Sequence, residues 1–522
     1  MQRHGFAGQA LIFKRGRIVT EILRGALLNG QIRLPRIFFV FCRMFFTKRF
    51  LKNSFLYTLS GALPMASAFL LLPFYLKHLT PSVYGEFSIC LACSVFVQTI
   101  VVYSFDSSVY IHYHEFKNQP DKLRAFLSSA FIFMCLLGVG VAGVSFFLGD
   151  ILLHRVFPEY AAQFYPFGLF AVVTGVFQAL FKVYINLLQT SEKPAVFVMA
   201  NLLLFTAITA SAIGGLTAFP NTLTGPVLGR MAAYSLGVGW VLYSVALKFG
   251  VSFDYALLKT TFSFTRNLYF YQLQQWVINY FDRFLVLFYL SSSDVGVYDF
   301  AAKCVLAIEL VMNGLSGAFY PQVVSAVMKQ EKKRFTVELN RYYYLLTLVV
   351  MFAVCGGVFI VPVMSHFVPV KKGYGESFAI LPFIAVIYLL RTIRLYFSAP
   401  FGLLKISKPL PLIYLPGTLL KIGIIVLFIR PWGVKSVIAG TMAGCLFDIL
   451  LLRSYWNGKF DFAFNSFKLI ISPLLLFGAI LIFESMMGGV NQWMLHLGYL
   501  ALALATALWG YRQEIKILTA TK

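Results

Sequence analysis

Apolar residues fall in fourteen stretches, each long enough to cross a bilayer as a helix, joined by loops of at most about twenty residues. The first six predicted spans run from Ser54 to Leu76, Glu86 to Phe105, Ala125 to Leu148, Gln163 to Leu187, Ala195 to Ala218 and Leu223 to Leu247. Six more run from Thr265 to Leu290, Gly296 to Tyr320, Tyr342 to Phe367, Glu376 to Leu395, Leu410 to Phe428 and Gly433 to Arg453. Spans thirteen and fourteen cover Ser466 to Met486 and Gln492 to Trp509. The pattern predicts an all-α integral membrane protein of about fourteen transmembrane helices, with no room for a soluble domain.

Two short motifs recur at matching places. LTPSVYGEFS around Gly85 precedes span two, and LSSSDVGVYDF around Gly296 precedes span eight. The run Leu187–Pro194 after span four is echoed by Leu403–Pro409 after span ten. Each pair is separated by about 211 to 215 residues, which carries spans one to six onto seven to twelve. Six is even, so the repeats are parallel, and they predict two six-helix bundles about an axis along the membrane normal with a site between them. The organisation expected is a basic cytoplasmic segment over residues 1–53, bundles over 54–247 and 265–453, a cytoplasmic linker over 248–264, and two added helices over 454–522.

Composition agrees: 59% of the 522 residues are hydrophobic and 12% charged, which excludes an ordinary soluble protein. The net charge of +24 has a membrane explanation, because most of the 44 Lys and Arg residues fall on one side when the N-terminus is placed in the cytoplasm. Both termini are then cytoplasmic, and the Ser291 to Asp294 loop lies outside. Charge spread over many short loops argues against nucleic-acid binding. Residues 1–43 carry about eight bases against the single acid Glu21, which suits either an interfacial amphipathic helix or a chain that starts in nature at Met44.

Polar groups at depth carry the candidate chemistry, since each costs about 2.5 to 3.5 kcal/mol on insertion scales and faces a partner or a wet cavity. In span seven, Gln272, Gln275, Asn279, Asp282 and Arg283 fall within an arc of about 100° and make one polar stripe. Further cations are Arg230, Lys303 and Lys421, and further acids are Glu309 and Asp448. Arg230 and Lys303 either line a cationic cavity or snorkel; Lys421 is too central to do so. Lys182, Arg391 and Arg394 are expected to snorkel. Lys303 follows Asp299 by four residues, the spacing of a helical ion pair.

Two patterns are read as decoys. Gly138, Gly140 and Gly143 spell G-x-G-x-x-G inside an apolar span with no strand before it, so helix packing is expected rather than a dinucleotide. His112 and His114 in IHYHE lack zinc-site spacing and are read as solvated. No metal or other cofactor is expected, and Cys90 and Cys93 are read as core residues.

Taken together, LPFYLKHLTPSVYGEFS, DRFLVLFYLSSSDVGVYDFAAK, GLSGAFYPQVV and the paired Leu187–Pro194 and Leu403–Pro409 runs resemble the Wzx-type polysaccharide flippases over roughly residues 50 to 455. That family is grouped with MATE exporters and lipid II flippases. The resemblance implies a bacterial inner-membrane protein, not an enzyme, that moves undecaprenyl-diphosphate-linked oligosaccharide units to the periplasmic leaflet by alternating access. It implies a substrate site at Arg230, Gln272, Gln275, Asn279, Arg283, Lys303 and Lys421. Asp282 or Glu309 would couple transport to H⁺ or Na⁺, and polymerase and chain-length machinery would be partners. Two alternatives stand beside it: a MATE-like small-molecule exporter, expected to present acids at its site, and a membrane polymerase or ligase, expected to carry a large outside loop.

Overall fold

The computed structural model describes residues 63–156, 164–313, 315, 332–367, 373–403, 408–456, 463–486 and 492–511. The basic N-terminal segment lies outside these residues. Residues 57–522 cluster as one compact unit. The described residues are helical, without a strand. Most of the described part of each predicted span is helix, and among the described residues ten helices are long and apolar enough to cross a membrane.

Proline starts several helices, where its missing N–H costs nothing: Pro81 opens span two, Pro120 span three and Pro194 span five. Span two runs Pro81–Val102 and turns through left-handed Tyr103 and Ser104 into a further helix, Phe105–Glu115. Span one is broken at Leu71, between Leu63–Leu70 and Leu72–His78.

The linker expected over 248–264 is mostly helix. Span seven begins at Tyr255 and runs to Tyr289, because the Asp254 carboxylate accepts from the Ala256 and Leu257 N–H groups at 2.9 and 3.2 Å and caps the helix. Only Gly250 to Asp254 is non-helical, and it is held against span three. Ser128 Oγ accepts from Ser252 N at 2.9 Å, and Ser129 Oγ from Asp254 N at 2.7 Å.

Close helix approach falls where small residues occur, as expected where hydrocarbon supplies no hydrophobic drive between helices. Gly215 and Gly225 bring spans five and six backbone to backbone, and Gly417, Gly440 and Gly444 do so for spans eleven and twelve. Of the decoy glycines, Gly138 packs on Val176 of span four, but Gly140 and Gly143 face open space, so packing explains only the first. Leu136, Val139, Phe147 and Ile151 of span three, like Leu412, Leu419 and Leu427 of span eleven, face outward, which suits lipid.

The parts that the repeat places in different bundles meet along spans two, seven and eight. Ser82 Oγ lies 2.7 Å from Ser292 Oγ. Further along, Trp276 Nε1 donates to Ala92 O at 3.1 Å, and the Tyr103 and Tyr269 rings stack at 4.3 Å.

Candidate functional site

Span seven places Asp282 and Arg283 side by side, 3% and 9% exposed, among spans eight and eleven. Charges at that depth must be paired, and they are. Asp282 Oδ2 accepts from Lys421 Nζ at 3.0 Å and from Tyr298 OH at 2.9 Å, while Oδ1 accepts from Arg283 Nη1 at 3.1 Å. The Arg283 Nε donates to Asp299 Oδ1 at 2.8 Å, and its Nη1 donates to Asn279 O at 2.7 Å. Lys303 closes the chain with an ion pair of 2.6 Å to Asp299 Oδ2. Lys421 also donates to Ile278 O at 2.7 Å.

The expected pair Asp299 and Lys303 is thus present, and it joins the span-seven stripe. Lys303 does not snorkel; its ammonium lies 5.1 Å from the Tyr84 ring centroid. Arg283 and Lys303 share Asp299, whereas Arg230 stands apart. It faces the Gln178 amide at 3.2 Å, in the amide orientation that lets the oxygen accept, and packs over Tyr234 at 5.5 Å. Gln275 accepts on its backbone oxygen from Asn279 Nδ2 at 2.7 Å. Gln272 Nε2 donates to Asp106 Oδ1 at 3.2 Å, and Asp106 Oδ2 pairs with Lys182 at 3.0 Å.

The expectation that Arg391 and Arg394 snorkel to an interface is corrected. Arg394 donates to Asp448 Oδ2 at 3.0 Å and lies over Tyr414, because the Asp448 carboxylate on span twelve fits against Gly417, where any side chain would overlap it. Arg391 approaches Glu309 at 4.0 Å, and Glu309 also accepts from Tyr388 OH at 3.3 Å. Ile278, Arg391, Arg394, Lys421 and Asp448 line a small cavity together. Lys182 is likewise held by Asp106.

Asp106, Tyr298 and the Arg394–Asp448 pair were not anticipated as site residues. His112 departs from the solvated reading: its ring stacks on Phe116 at 5.4 Å and its Nδ1 meets Glu115 at 2.9 Å. Among the described residues, no group of three or more His, Cys, Asp or Glu is arranged to hold a metal.

A family model described as "Polysaccharide biosynthesis protein" matches residues 50–327. This chain belongs to the polysaccharide biosynthesis protein family. Over 261 residues it is 24% identical to a Shigella flexneri protein named for O-antigen transport, covering 47% of this chain and 60% of that protein. The match thus spans less than two thirds of the relative's length.

Among solved structures, the lipid II flippase MurJ in an inward closed conformation superposes with a TM-score of 0.65 at 14% identity, over 88% of this chain and 99% of MurJ. An inward-facing multidrug resistance MATE family transporter of the MOP superfamily gives 0.62 at 12% identity, over 77% and 96%. A MOP superfamily transporter from Pyrococcus furiosus, described by the reverse polarity of its binding pocket, gives 0.53 at 12%, over 78% and 95%. These likenesses establish a MOP transporter-like fold, and the protein is a multi-pass membrane protein.

Proposed function

We propose that this protein is a flippase that moves a lipid-linked, diphosphate-bearing oligosaccharide unit from the cytoplasmic to the periplasmic leaflet of a bacterial inner membrane. Family membership and the lipid II flippase fold support the class, and the buried charge network supports the substrate. Arg283, Lys303, Arg391, Arg394 and Lys421 face Asp282, Asp299, Glu309 and Asp448, one base in excess. A cationic surplus at depth favours an anionic passenger, and it is this observation that carries the reading. A MATE-like exporter of cations would need the opposite balance. A polymerase or ligase would carry a large outside loop; the longest that the sequence predicts, Gly149 to Ala162, is short, and helix runs through it as far as Val156.

With the orientation set by Lys and Arg, both termini are cytoplasmic and the Ser82–Ser292 contact is on the periplasmic side. That side is closed between spans two and eight, and transport requires the contact to open. Substrate phosphate competes for Arg283, Lys303 and Lys421 by charge-assisted hydrogen bonds, drawing them from their carboxylate partners. Glu309, with its side chain 36% exposed and a longer ion pair, is better placed than the saturated Asp282 to bind and release H⁺ or Na⁺. Polymerase and chain-length proteins would act on the product.

Reconstitution tests this. Proteoliposomes of the full chain, loaded with the host's lipid-linked oligosaccharide, should expose it to an impermeant glycosidase faster than protein-free vesicles do; equal rates would reject the flippase reading.

A further inference from the structure

The predicted first half holds a cavity of its own, about 290 Å³, partly open and away from the buried charge network. Gln98 of span two, Gln178, Asn186 and Gln189 of span four and Asn201 of span five bring amides to it, and Phe181 and Tyr234 supply ring surfaces. Gln178, Lys182, Asn186 and Gln189 recur at the helical period, so span four carries a polar stripe of its own. Gln178 and Asn201 are each 3% exposed. Gln178 is held by Arg230 and Asn201 Nδ2 donates to Phe197 O at 2.9 Å, while Gln98, Asn186 and the exposed Gln189 turn amides to the cavity at less depth.

The chemistry of the lining indicates the ligand. Lys182 is neutralised by Asp106 at 3.0 Å, and Arg230 is directed at Gln178. What remains is the amides of Gln98, Asn186 and Gln189, which both donate and accept, set against the Phe181 and Tyr234 rings. Sugar hydroxyls are matched donors and acceptors, and the C–H face of a pyranose packs on aromatic rings. The volume lies at the low end of the range for small-molecule sites, about 300–1,000 Å³, which suits one or two sugar rings rather than a whole repeat unit.

The cavity also has a polar connection to the charge network. Asp106 joins Lys182 to Gln272, and the span-seven stripe continues from Gln272 to Arg283, about 16 Å along the helix at 1.5 Å per residue. A head group anchored by its diphosphate near Arg283 could lay its glycan along this stripe. We propose that the cavity is an uncharged-sugar subsite that holds an outer residue of the lipid-linked unit, an inference that rests on the flippase reading.

Cysteine protection tests it in inner-membrane vesicles carrying the full chain with its seven native cysteines replaced. Asn186→Cys, and Gln275→Cys on the central stripe, would be labelled with a fluorescent maleimide. The probes are the host's lipid-linked oligosaccharide extract and undecaprenyl diphosphate alone. The subsite predicts at least about fivefold slower labelling of Asn186→Cys with the oligosaccharide lipid and no protection by undecaprenyl diphosphate. Equal protection by both probes would assign the cavity to lipid or phosphate and overturn the proposal. Protection of Gln275→Cys without Asn186→Cys would overturn the subsite and leave the flippase reading standing. Protection of neither cysteine by either probe would overturn both.

Discussion

Gly85 and Gly296, the central residues of the two echoed motifs, pack reciprocally. A Cβ on Gly85 would overlap the Ser292 carbonyl oxygen, and a Cβ on Gly296 would overlap the Pro81 carbonyl oxygen. Pro81 and Ser292 each stand four residues before the glycine of their own motif, so the contact is symmetric in sequence terms. The motif therefore recurs because each copy is the other's docking surface.

Substituting leucine at Gly85 or Gly296 should force spans two and eight apart there, since both obstacles are backbone. Overpacking of this kind typically costs about 1–3 kcal/mol. The expected result is a lower Tm for each variant and faster maleimide labelling of Ser82→Cys. Unchanged labelling would mean that the contact does not close that side.

The 2.7 Å approach of Ser82 and Ser292 allows a lock. With both as cysteine, oxidation should form a disulfide, stop export, and release it on reduction. Continued export from a fully cross-linked protein would show that the contact need not open.

Lys421 and Asp282 form a buried pair, and without Lys421 the Asp282 carboxylate keeps Arg283 and Tyr298 as partners. Lys421→Met should therefore lower stability by less than the about 3–5 kcal/mol of a fully stranded buried charge, and Asp282→Leu with Lys421→Met should recover most of that while export stays low. Denaturation in detergent reads the first effect and surface glycan the second. Full export by the double variant would make the pair purely structural.

Glu309→Gln should leave protein level and substrate retention near wild type and slow turnover, if this carboxylate carries the coupling ion. Asp282→Asn should instead lower stability, because Asp282 holds Lys421, Arg283 and Tyr298 at once. Reversed phenotypes would assign coupling to Asp282.

Hydropathy found the apolar helices among the described residues, because in lipid the backbone must satisfy itself within each span, but it missed the further helix Phe105–Glu115 and the start of span seven at Tyr255. Helical period was enough to place Asp282 and Arg283 on one stripe, and the four-residue spacing to pair Asp299 with Lys303. Partners on different helices were not legible: Arg394 finds Asp448 54 residues away, and Lys182 finds Asp106 on the further helix that follows span two. Positions near helix ends favoured snorkelling, and for Arg394 the packing of Asp448 against Gly417 shows otherwise. The span-four amides obey the same period as the span-seven stripe, so that rule could have found them. Nothing in IHYHE shows that His112 packs on Phe116, because that contact depends on the helix Phe105–Glu115, which hydropathy does not mark.

The fate of lipid-linked repeat units in cells deleted for the native gene is the most direct measurement. The account predicts that these units accumulate on the cytoplasmic leaflet and surface glycan is lost. Wild-type chain should reverse both, Arg283→Lys in part, and Arg283→Ala at equal protein level should not. Normal surface glycan with no accumulation after deletion, in cells with no second copy, would contradict it.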